Sequence, residues 1–223
     1  MSTCEVPAVP ELHPALERRF SPVRFDLEAA VTSEHVDTLL EAARRAPSAG
    51  SSQPWMFIAG IRGDDVHARL LPHLARSSSQ WAPSASLLMV NLAQVQVEGE
   101  PEWEYSEFAR YDLGQAVAHM TVQGLSIGLD AHQFRAFDRQ AIEAEFAVPT
   151  HWEATSMTAF GVADHLPGEI RAAGTSRERA GRDDIVWARG RVLSGIGPTS
   201  APRADSAAVT GGIFNDRLGL DPS

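Results

Sequence analysis

The chain has 223 residues, of which 43% are hydrophobic and 22% charged, the make-up of one folded domain with appendages, which excludes a fibrous or wholly disordered chain. Nineteen basic against twenty-nine acidic residues leave a net charge of −10, which argues against a broad footprint for nucleic acid or anionic membrane while permitting a local basic pocket. Every basic residue is Arg; without Lys there is no Schiff-base chemistry and no Walker-type loop, so any phosphate must be held by Arg, backbone N–H groups or hydroxyls.

Residues 1–13 form the expected N-terminal arm, flexible and without periodicity. Its opening, MSTCEVPAVPELHP, lacks a basic n-region and an apolar h-region, and the single Cys4 excludes an internal disulfide and a Cys-based zinc cluster. A reducing, cytoplasmic location is therefore expected, with no membrane span.

From Pro14 a short helix is predicted to run into Arg18 and Arg19 and to break at Ser21-Pro22. Thr32 or Ser33 caps the next, in which Val36, Leu39, Leu40 and Ala43 make one stripe before Pro47 stops it. Trp55–Ala59 and Ser86–Leu92 have strand character, separated by a helical stretch that Pro72 bends or interrupts. Tyr105–Leu129 reads as the longest helix, Asp138 caps a shorter one through Phe146, and Ala154–Ala163 reads as a central strand. Helix and strand interleave without a strict βαβ rhythm, which favours a three-layer α+β fold. The main domain is expected over residues 14–193, followed by a Pro/Gly-rich flexible connector and a C-terminal docking segment over 194–223.

Eight histidines invite metal or triad chemistry, but no HExxH, His-Cys cluster or GxGxxG spacing exists. Two Arg clusters stand out: Arg18 and Arg19 beside Ser21, and Arg177, Arg179 and Arg182. Such clusters suit a phosphomonoester, though a solvated basic face explains them equally well. Between them APSAGSSQPWMF offers a hydroxyl-rich turn that could meet a flat polar heterocycle or could be a plain helix-to-strand loop.

The ordered segments RRFSPVRFD (18–26), EAARRAPSAGSSQPWMFIA (41–59), YDLGQAVAHMTVQGLSIGLDAHQFRAFD (111–138) and MTAFGVA (157–163) resemble the nitroreductase family of FMN-dependent flavoproteins. The resemblance spans about residues 15–190. It implies an intertwined homodimer with a central, mostly antiparallel sheet and FMN at the subunit interface.

By position in the family pattern, Arg19, Ser21, Arg177 and Arg179 would hold the FMN phosphate. Ser48, Ser51 and Gln53 lie in the turn that would reach the flavin from the other subunit. Gln133, Phe134, Arg135 and Ala136 match the segment along the ring, with a backbone N–H near 136 directed at N5. The implied chemistry is a ping-pong hydride transfer from NAD(P)H through N5 to a nitroaromatic, quinone or enone, with no encoded general acid or base. The chain departs from the pattern at Val23, where Arg or Lys is common and Arg24 is displaced by one, at Ser51, where Asn is common, and at Ala136, where Gly is usual. Trp55, Trp81, Phe108 and Phe134 are candidates for an aromatic pocket or for core. A flavin-sequestering protein with little turnover, a dehalogenase or a flavin destructase are the alternatives.

Overall fold

The computed structural model describes residues 11–172, 175–188 and 190. The chain divides into two units, Met1–Glu178 and Arg179–Ser223. Residues 1–10 of the 1–13 arm and the connector and docking segment over 194–223 lie outside the described residues, as does part of the remainder of the second unit.

In the first unit, helix α1 (Pro14–Arg18) starts where the His13 ring accepts the Ala15 N–H at 3.2 Å. Helix α2 (Ser33–Arg44) is capped reciprocally by Thr32 and His35, and its stripe of Val36, Leu39 and Ala43 is buried. Four strands form one sheet in the order β1 (Trp55–Ile61), β2 (Leu87–Gln94), β6 (Trp152–Gly161), β5 (Asp130–Phe134). Every neighbouring pair is antiparallel, with Trp55 opposite Ala93, Leu87 opposite Phe160, and Phe134 opposite Met157.

The central strand β2 is apolar on both sides because both sides are covered. Leu87, Met89 and Ala93 pack with α2 and with Leu113, Val117 and Met120 of helix α4 (Ala109–Ser126). Leu88, Val90 and Leu92 face the opposite layer, with Leu70 of helix α3 (Asp65–Leu70), Ile142 of helix α5 (Arg139–Glu145), Phe25 and Phe137. This is the three-layer α+β fold, its four-stranded sheet antiparallel throughout.

Pro72 interrupts the helical stretch, one of the two outcomes expected of it: α3 ends at Leu70 and a 3-10 turn takes over at Leu71–His73. Two local outcomes differ from the sequence expectation. The long helix starts at Ala109 rather than Tyr105, because residues 96–104 form a hairpin of β3 (Gln96–Val97) and β4 (Glu100–Glu104) and the Tyr105 N–H returns to the Val95 carbonyl. It also ends three residues early. Gly128, at φ 89°, closes it with the Leu129 N–H on the Gly124 carbonyl at 2.8 Å and its own N–H on Leu125 at 3.3 Å, releasing the chain into β5.

Candidate functional site

A cavity of about 890 Å³ opens at the β5 edge of the sheet. Strand alternation sends His132 and Phe134 to this side, where the Trp81 ring stacks on His132 at 4.3 Å and 13° and meets Phe134 edge-on at 4.9 Å. The polar segment Ala75–Trp81 forms the facing wall, with Val23, Ala136, Ile170 and Ala172 completing the lining.

The rim is fixed by backbone bonds. The Ala136 carbonyl accepts from the Ala75 N–H at 3.0 Å and from the buried Ser78 hydroxyl. The Ala136 N–H has no acceptor among the described residues. The His132 Nδ1–H donates to the Pro22 carbonyl at 2.8 Å, so in the neutral ring Nε2 carries the lone pair. Burial holds this imidazole below its ordinary range, and the Arg19 guanidinium adds to the effect.

That influence places Arg19 beside the pocket's floor, and the Arg19 guanidinium donates to the Ser21 hydroxyl at 3.5 Å. Arg177 joins them at the same helix end, donating to the Glu17 carbonyl at 2.7 Å. Arg19, Ser21 and Arg177 are thus brought together across most of the chain's length, next to the pocket through Pro22 and Val23. Arg179 belongs to the second unit. Arg24 does not take the place left by Val23: it pairs with the Asp164 carboxylate at 2.8 Å, also donates to the Asp164 carbonyl, and contributes nothing to the pocket lining.

The turn containing Ser48, Ser51 and Gln53 contributes no lining residue in this chain. It is held by the Ser48 hydroxyl, which accepts the Gln53 N–H at 3.0 Å, and by the buried Asp112 of α4, whose carboxylate accepts the Ala49 N–H at 3.0 Å. The expectation that residues 133–136 lie together along one ligand divides. Phe134 and Ala136 line the cavity, but Gln133 lies on the other face of β5 and donates to Thr121 of α4 at 3.0 Å. Arg135 donates to the Phe137 carbonyl at 3.0 Å and lies over that ring. Trp55 and Phe108 are absent from the lining. Sequence reasoning did not select Arg76, Ser78 and His132 for the site, since they come together only through the bridge between Leu74 and Phe137. Asp112 had one weak signal, an acid in the first turn of a long helix.

Comparison with known proteins decides the family: the sequence pattern of the nitroreductase family matches residues 16–162. The chain belongs to the nitroreductase family. A Mycolicibacterium smegmatis relative, an uncharacterized 15.4 kDa protein in the ask 5' region, is 32% identical over 133 residues, covering 56% of this chain and 85% of that protein. A Rhodopseudomonas palustris (strain TIE-1) protein, provisionally named an NADH dehydrogenase/NAD(P)H nitroreductase, is 23% identical over 151 residues, or 60% of this chain and 76% of its own length. Among solved structures, an oxidoreductase containing FMN superposes with a TM-score of 0.69 at 24% identity, covering 84% of this chain and 96% of that one. A nitroreductase family protein from Clostridium difficile 630 gives 0.60 at 20% identity, covering 77% and 94%. These structural likenesses establish the nitroreductase fold. Among the described residues no group of three or more His, Cys, Asp or Glu could hold a metal ion, and no helix is long and apolar enough to cross a membrane.

Proposed function

We propose that this nitroreductase-family protein binds FMN and works as an NAD(P)H-dependent oxidoreductase on a nitroaromatic, quinone or enone acceptor. The observation that carries the reading is the pocket itself: an aromatic floor of Trp81, His132 and Phe134 beside a rim whose Ala136 N–H has no acceptor among the described residues. A planar ring with an acceptor atom at its edge fits that arrangement. Arg19, Ser21 and Arg177 at the adjoining helix end suit the phosphate, with two guanidiniums and a hydroxyl to engage its oxygens. The FMN and NAD(P)H named for structural and sequence relatives support the same cofactors here.

Bound there, FMN supplies two-electron chemistry between a nicotinamide donor and an acceptor. The chain's own work is positional: the Ala136 N–H orients the ring edge, the aromatic floor excludes water from one face, and the Arg pair anchors the phosphate. The working unit is a homodimer in which the turn carrying Ser48, Ser51 and Gln53 completes the site of a second copy. Two observations support this: the turn lies outside the cavity of its own chain, and Phe108 and Tyr111 stand exposed at the start of α4. A cytoplasmic location belongs to the same reading.

The test is an anaerobic visible spectrum of the purified protein during addition of NADH and then NADPH. Bound flavin that bleaches with one donor bears the proposal out and names the donor. Bound flavin that neither donor bleaches favours sequestration without turnover. No bound flavin, and no binding of added FMN, refutes the reading.

A further inference from the structure

We infer that Arg135 binds a phosphate of the nicotinamide donor at the rim of the cavity; the inference rests on the FMN and NAD(P)H reading above. Residue 135 lies between Phe134 and Ala136, which both line the cavity, but is itself outside the lining and exposed. Among the described residues its guanidinium has no carboxylate within salt-bridge distance. Its one hydrogen bond, to the Phe137 carbonyl at 3.0 Å, leaves its other N–H groups free. Other Arg side chains around the same sheet are paired: Arg69 with Glu145, Arg110 and Arg139 with Glu153, and Arg24 with Asp164. In a chain of net charge −10, an exposed guanidinium without a carboxylate at the rim of a pocket is a contact for an anion.

The cation is held at a fixed offset from the N–H that meets the ring edge. The Phe137 N–H donates to the Arg135 carbonyl at 3.0 Å, which makes residues 135–137 a tight turn with Ala136 at its apex. The Arg135 side chain closes the same turn, through its bond to the Phe137 carbonyl and by lying 4.6 Å over the Phe137 ring. Phe137 is itself buried and bridges Leu74, so the platform under the guanidinium belongs to the core. A planar fork already ordered in this way loses little freedom when it meets a phosphate. The participants in the proposed reaction decide which anion that is. A nitroaromatic, quinone or enone acceptor requires no charge, and the cofactor's own phosphate is assigned to Arg19, Ser21 and Arg177. The nicotinamide donor carries a pyrophosphate, and in NADPH a further 2′-phosphate, while its reacting ring must approach the ring edge that Ala136 orients.

The experiment compares FMN-loaded wild type, Arg135→Gln and Arg135→Lys. Anaerobic stopped-flow bleaching of the bound flavin gives the Kd and the limiting rate for NADPH, NADH and 1-benzyl-1,4-dihydronicotinamide, a donor without phosphate. Equilibrium titration with 1,4,5,6-tetrahydro-NADPH, which transfers no hydride, reads binding alone. Arg135→Gln is expected to raise Kd for the phosphate-bearing donors by about fivefold, as for an exposed ion pair at its strongest, with limiting rates and oxidised FMN affinity unchanged. Arg135→Lys should recover part of that loss, and salt at about 1 M should erase the difference between wild type and Arg135→Gln. A loss confined to NADPH and its analogue assigns the contact to the 2′-phosphate, and a loss shared with NADH assigns it to the pyrophosphate. An unchanged Kd for both donors overturns the inference. So does an equal loss with the phosphate-free donor, which would mean that Arg135 only holds the turn in shape. Weakened affinity for oxidised FMN overturns it in favour of a cofactor contact. Wild-type protein that binds no FMN, or whose flavin neither donor bleaches, refutes the reading beneath the inference before any variant is compared.

Discussion

Replacing Asp112 by alanine tests whether one buried carboxylate holds the 48–53 turn in shape. Ser51 at φ 57° and Gln53 at φ 51° both occupy the left-handed region, which costs a residue with a side chain about 1–2 kcal/mol. Gly50, at φ 58°, adopts it without that cost. The turn persists because bonds at its start outweigh the strain, chiefly Asp112 on the Ala49 N–H and the Ser48 hydroxyl on the Gln53 N–H, each at 3.0 Å. Losing a hydrogen bond to a charged acceptor costs about 1.5–3 kcal/mol. Losing an acid from the first turn of α4 adds about 0.3–1 kcal/mol through the helix dipole. The expected destabilisation of Asp112→Ala is therefore about 2–4 kcal/mol, or a fall in Tm of roughly 5–15 °C for a domain of this size. Calorimetry and urea titration measure it. Asp112→Asn keeps an acceptor and should lose only about 1 kcal/mol, while Ser51→Gly, relieving strain, should be neutral or slightly stabilising. A cost below about 0.5 kcal/mol for Asp112→Ala, within the range of an ordinary surface change, would refute the reasoning.

Gly161→Ala would put a Cβ 2.9 Å from the Phe25 ring and 3.2 Å from the Ser86 nitrogen; a loss of about 1–3 kcal/mol in urea titration is expected, and an unchanged midpoint would show that Phe25 can yield. Burial holds the imidazoles of His67 and His132 below their ordinary value of 6.5, so as pH falls the unfolded chain takes up protons first. Stability should be full above about pH 6.5 and decline below it toward the folded-state values. His132→Phe should flatten that decline, leaving the part due to His67, and equal slopes in the two proteins would count against a buried neutral His132. Arg19→Ala should weaken FMN binding by about 10- to 150-fold, the equivalent of a charge-assisted bond of about 1.5–3 kcal/mol. Arg24→Gln should leave it unchanged, and the same titration with the roles reversed would show that the phosphate lies elsewhere.

What could be read from the sequence follows from whether the signal is local. Helix α2 was legible because its cap, its stripe of Val36, Leu39 and Ala43, and Pro47 all lie within one short stretch. Strand β5 was not, because the apolar run through Leu125, Ile127 and Leu129 continues smoothly across the break, and only the left-handed Gly128 marks the helix end. The β3–β4 hairpin escaped because EPEWE is exposed along its whole length and shows no buried alternation. At the site, Arg19, Ser21 and Ala136 were reachable through the resemblance to the family. The stack of Trp81 on His132 was not, since it depends on the bridge that brings residue 74 to residue 137. Gln133 is instructive in the other direction: once 130–134 is known to be a strand, residues 133 and 134 must face opposite ways, and the structure places only Phe134 in the cavity.

The same alternation explains why a one-residue displacement of a cation matters near Val23. The segment is extended, Phe25 bridging Ala163 and the Asp26 N–H reaching the Val162 carbonyl at 2.8 Å. Val23 faces the cavity and Phe25 the core, so Arg24 between them turns outward to Asp164. That ion pair is half-exposed on both sides and contributes little by itself; what keeps Arg24 from the cavity is the period of the backbone rather than the strength of its partner. Moving a cation by one position along an extended segment therefore removes it from the cavity's side altogether. The guanidinium in the cavity's lining, that of Arg76, comes from another element, the segment fastened to the Ala136 carbonyl.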